Sequence, residues 1–166
     1  MKFLSIKEFF YKLNTIGFIL LLVPILAFIF LYYMPMQSDP IITDPATVVT
    51  ILGAIVFFFV VDLTVVRWIW GARMRKLRML LELAAKMDGY YRLVLLRKGS
   101  YCGFSLLLAI GFYLTANPGF TIMLLLIVVV SFLEWPSPTA FCRQFELDGN
   151  ERDMVLKNLD MKAKKR

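Results

Sequence analysis

Four stretches nearly free of charge, at about residues 16–33, 46–66, 99–115 and 120–133, constrain this chain more than any other feature of it. A hydrocarbon core about 30 Å thick is crossed by roughly 20 apolar residues in a helix, the form in which a lone segment satisfies its own peptide groups without water. The rest of the composition agrees: 60% of the 166 residues are apolar and 19% charged, against about 45–50% and 25% in soluble domains. An ordinary soluble fold is excluded. The sequence reads as an all-α membrane protein and a single membrane domain. Its four transmembrane helices form two hairpins, with a cytoplasmic amphipathic helix between them and a short cytoplasmic C-terminal tail.

Local signals set the ends of the spans. The first follows Lys12 and stops before Met34-Pro35, where proline breaks the helix. Its apolar run exceeds the usual h-region of about 7–15 residues and no small-x-small cleavage site follows, so it reads as a retained helix rather than a signal peptide. The second opens at Asp44-Pro45, a good N-cap followed by a good first helical residue. Ala116-Asn117-Pro118-Gly119 is a strong turn that folds the third and fourth spans into a tight hairpin. Both are short of about 20 residues, so Arg97, Lys98 and Trp135 are expected to snorkel or to sit at the interface.

Orientation follows from the basic residues, whose excess marks the cytoplasmic side. Lys2, Lys7 and Lys12 precede the first span, nine of the 19 Lys and Arg lie in residues 67–98, and seven lie in residues 143–166. The opposite loops contain none. Both termini and the middle loop are therefore expected in the cytoplasm, beside anionic phospholipid. That asymmetry accounts for the formal charge of +7 without nucleic acid. Cys102 and Cys142 fall near the reducing side and form no C-x-x-C pair, so neither a disulfide nor a redox motif is expected.

Within residues 68–98, Trp70, Met74, Leu77, Leu81, Ala84, Met87 and Tyr91 recur every three or four positions. Arg73, Arg75, Lys76, Arg78, Glu82 and Lys86 occupy the other faces, the pattern of an amphipathic helix. Asp88-Gly89 reads as a break. The outgoing arm would then be about 32 Å long and the return about 15 Å, so an upright hairpin is awkward. The arm is expected to tilt, to lie along the membrane surface or to pack on another subunit. Trp70, Met74, Arg75, Leu77, Arg78 and Leu81 are its candidate partner-docking or lipid-docking residues. In the tail, residues 135–166, Trp135-Pro136-Ser137-Pro138 breaks the helix, and Phe141, Phe145 and Leu147 stand among polar residues. A second short helix is expected from Asn150 as N-cap, with Glu151 and Asp153 in its first turn and a frayed basic end at residues 162–166. The first and third spans also share K-x-x-x-x-G-F-x-L-L-L, from Lys12 and from Lys98, as a parallel duplication of two hairpins would produce.

Chemistry has few footholds. There is no histidine, and no Walker loop, G-x-S-x-G elbow, dinucleotide turn or paired cysteine ligands. An enzyme, a metal and a cofactor are all unexpected. Asp62 stands out, because an ionisable group inside a span is costly and is by default a functional candidate. Arg67 lies five residues on, about 7.5 Å along the helix, and shares its face poorly. Asp62 can instead meet Arg97, Lys98 or a neighbouring subunit as an assembly contact, or carry a proton. Small residues such as Gly53 with Ala54, Ser105 with Ala109, and Gly103 with Gly111 permit close helix contact.

Two hairpins, a basic amphipathic loop and a tail containing W-P-S-P-T and E-R-D resemble small four-helix bacterial inner-membrane proteins that accompany energy-transducing complexes of the TonB, ExbB and ExbD type. The resemblance implies an accessory subunit beside the proton channel. The expectation is a non-enzymatic accessory or structural subunit packed against other integral membrane subunits of a larger complex. The alternative is a small oligomeric proton or ion conductor using Asp62.

Overall fold

In the computed structural model, residues 5–33, 40–147 and 149–157 are described. Six helices make up 87% of them, and none of the described residues is in a strand. These are α1 (Ile6–Tyr33), α2 (Pro45–Arg78), α3 (Leu83–Thr115), α4 (Pro118–Leu133), α5 (Pro138–Phe145) and α6 (Gly149–Leu156). The first three are long and apolar enough to cross a membrane. With 16 residues, α4 reaches that criterion only when joined to α5 across the break at residues 134–137.

Local chemistry sets several ends, those at Asp44 and Asn117 as expected. Asp44 accepts the Thr47 amide at 2.9 Å and Pro45 opens α2. Asn117 accepts the Gly119 amide at 2.8 Å ahead of Pro118. Ser137 caps α5 through the Ala140 amide, and α5 ends at Glu146 in the left-handed conformation. The tail helix begins at Gly149, which puts Asn150 inside its first turn rather than at the cap. The expected stop at Met34-Pro35 and the basic end at residues 162–166 lie outside the described residues.

The expected break at Asp88-Gly89 is not there. The chain turns at residues 79–82, and α3 runs unbroken through Asp88 and Gly89. Asp88 pairs with Arg92 one turn on, and Gly89 is a contact point. A β-carbon there would lie 2.2 Å from Leu77 Cδ2, so α2 and α3 approach closely because position 89 has no side chain. With the turn moved, the arms of the middle segment are of similar length and form the helical hairpin that the expected break made awkward.

By its contacts the chain divides into two compact units. The first draws on residues 1–17, 67–96 and 135–166, and the second on 18–66 and 97–134. Among the described residues, Arg97 and Lys98 are the only basic ones in the second, so we call the two the charged and the apolar unit. The charged unit has an aromatic core. Phe141, with no exposed surface, lies 6.0 Å from the Phe9 ring, 5.1 Å from Tyr90 and 4.6 Å from Phe145. The apolar unit packs Phe120, Leu108, Leu124 and Ile127 at its centre. Phe120 closes against Gly111, where an added β-carbon would come within 2.4 Å of the ring.

Candidate functional site

Asp62, Arg97, Lys98 and Glu134 of the apolar unit pair off in three sets between α3 and its neighbours. Asp62 of α2 accepts a hydrogen bond from the Ser100 hydroxyl of α3. Lys98 is 3% exposed and donates from Nζ to the Ser131 carbonyl and, at 2.9 Å, to the Ser131 hydroxyl of α4. Arg97 holds Glu134 through Nη1 to Oε2 at 3.3 Å and Nη2 to the backbone carbonyl at 3.3 Å, while the Tyr101 hydroxyl donates to the same carboxylate at 2.7 Å. A charge removed from water is tolerated when oxygen or nitrogen partners surround it, and these sets supply them. Each set ties α3 to a neighbouring helix.

The placement of the expected residues is mixed. Asp62 does meet α3, through Ser100; among the described residues it forms no ion pair with Arg97, Lys98 or Arg67. Arg67 is exposed. Lys98, expected to reach for the interface, turns inward, because Ser131 offers it two oxygens. The repeated lysine motif does not reproduce an environment. Lys12 pairs with Glu8 one turn away while Lys98 is buried, and Gly17 faces Trp135 while Gly103 has nothing within 4 Å of an added β-carbon.

In the charged unit, Met74 is 6% exposed, and Trp70 and Leu77 pack against the same core. Three of the six candidate docking residues thus serve the interior. Arg78 is engaged as well, donating from Nε to the Gln144 carbonyl at 2.7 Å and pairing with Glu146 at 2.9 Å. This satisfies a carbonyl left over at the end of α5. Arg75 and Leu81 remain outward. Leu81 is 95% exposed, and Met79 beside it in the turn is 81% exposed, although it lies off the apolar stripe of the helix.

No histidine, cysteine or carboxylate cluster suited to a metal occurs among the described residues. Burial pushes the Cys142 thiol up and suppresses its thiolate. No known protein family, curated protein or solved structure matches the chain. What geometry and composition define is a helical protein with three to four helices able to span a membrane.

Proposed function

We propose that the chain is a non-enzymatic accessory subunit of a larger complex in the bacterial inner membrane, with both termini and the 79–82 turn in the cytoplasm. The observation that carries this reading is that Asp62, Arg97, Lys98 and Glu134 of the apolar unit are spent on holding α3 to its neighbours. Polar groups used this way assemble helices and do not line a route for a solute. Outside that seam, α2 presents Phe57, Phe58, Val60 and Val61 outward, a surface suited to lipid or to another apolar helix. In the charged unit the Met79 and Leu81 turn is the docking point, flanked by the exposed basic residues Arg75 and Lys76. The basic surface faces anionic headgroups. The parent assembly is of the energy-transducing kind that the resemblance implies.

The test is to purify the tagged protein from its native membrane in mild detergent, determine the mass of the particle and identify what accompanies it. Stoichiometric integral membrane partners are expected. Met79→Asp with Leu81→Asp should weaken their association by about thirtyfold, the loss of a single interface anchor worth about 2 kcal/mol. A homo-oligomer alone, with proton flux in liposomes abolished by Asp62→Asn, would replace this reading with the conductor.

A further inference from the structure

Pro24 lies inside α1 with its ring fully buried. Proline has no N–H, so the Leu20 carbonyl four residues earlier has no helix donor at that position. In a span, water from bulk cannot replace the missing partner, and neighbouring helices or an ordered water must do so. Leu20 and Pro24 form one wall of a largely enclosed cavity within the apolar unit. Lys98, Cys102 and Ser105 of α3 and Ser131 of α4 contribute to the others. Its volume is about 10 Å³, on the order of what a single water centre requires.

Ser105 supplies the second half of the argument. It is 3% exposed, and its hydroxyl makes no hydrogen bond among the described residues. Thr50, Thr64 and Thr115 behave otherwise, each donating at 2.8 Å to the carbonyl four residues before it. A buried hydroxyl that declines its own helix and lines a cavity is placed for a ligand in that cavity. The Lys98 ammonium on the same wall disfavours a metal cation, and the volume accepts nothing much larger than water.

We propose that this cavity binds one water molecule, which donates to the Leu20 carbonyl and hydrogen-bonds the Ser105 hydroxyl beside the Lys98 ammonium. The water joins α1 to α3 and makes Pro24 and Ser105 one energetic unit. Proline at position 24 then creates a binding site instead of a defect.

A high-resolution experimental map of the full chain in lipid tests this directly. One ordered oxygen within about 3.2 Å of both Leu20 O and Ser105 Oγ is expected; an empty cavity overturns the proposal. A mutant cycle in solution tests the coupling. Ser105→Ala should lower the thermal midpoint by about 2–4 °C, the loss of one hydrogen bond in a protein of this size. With Pro24→Ala, the restored N–H satisfies Leu20 and the same serine change should cost much less. Additive shifts would overturn the proposal, and if Pro24→Ala fails to fold the map alone decides.

Discussion

At the residue scale, reach along the chain decides what a sequence discloses. Asp44 was fully legible: its partner Thr47 is three residues away, and the cap, the proline and the apolar run all lie within one window. Hydrogen bonds from the Thr47 hydroxyl and amide hold the Asp44 carboxyl below the usual carboxylate range. A lowered pKa means that the capped form is favoured above the ordinary carboxylate pKa and is lost as pH falls through the lowered value. The protection of the Ala46 and Thr47 amides against exchange, relative to their intrinsic rates, should therefore fall with acid below pH about 4, and Asp44→Asn, whose side chain caps without a charge, should remove that dependence. Asp62 was half legible. Its cost showed in the sequence, but its partner Ser100 is 38 positions away and no periodicity points to it. Lys98 misleads for the same reason, since the oxygens that draw it inward belong to Ser131, 33 positions on. Phe141 looked like one aromatic among polar tail residues, yet it is fully buried among Phe9, Phe10, Tyr90 and Phe145. Phe141→Ala should cost about 3–5 kcal/mol in denaturant-induced unfolding of the charged unit.

At the element scale, the helices were legible and one turn was not. Residues 79–82, Met-Leu-Leu-Glu, contain no glycine or proline and are good helix formers, so nothing local announces a reversal. A quieter signal was present in Arg75, Lys76 and Arg78, the cations that suit a helix C-terminus. Gly89 attracted the turn in the sequence reading because glycine is a poor helix former, but its purpose is contact with Leu77. That contact is made by residues on different helices and is invisible to any local window. The two effects oppose each other in Gly89→Ala. Helix propensity would gain about 1 kcal/mol, while displacing Leu77 Cγ and both its δ-carbons, all within 3.1 Å, belongs to the overpacking range of about 1–3 kcal/mol. The net should be a loss of stability, and pairing the change with Leu77→Ala should recover the propensity gain in the same unfolding measurement. Gly111→Ala should be the costlier variant, because the ring it meets is that of Phe120, which has no exposed surface and no room to retreat.

At the scale of the whole molecule, two independent partitions coincide. Contacts divide the chain into two units without reference to charge, and among the described residues the division leaves Arg97 and Lys98 as the only basic ones in the apolar unit. The proposed topology makes a direct prediction. In a Cys102→Ser background, Ile41→Cys, at a position 67% exposed, should react with a membrane-impermeant maleimide in intact cells. Lys7→Cys, at an exposed position on the proposed cytoplasmic side, should react only after permeabilisation. Cys142, buried and held as the thiol, should stay silent in both. The charged unit is also discontinuous in sequence: Phe9 comes from its first stretch, Tyr90 from its second and Phe141 from its last. Synthesis delivers those pieces in that order, with the piece that covers the other two arriving after every span has been made. A ribosome that halts after α4 would thus release a chain whose membrane helices are complete and whose aromatic core stands open, the kind of surface that cellular proteases triage. Closure of this core therefore waits on the tail, and a chain ended at residue 134 should turn over faster than the full-length chain in a pulse-chase experiment.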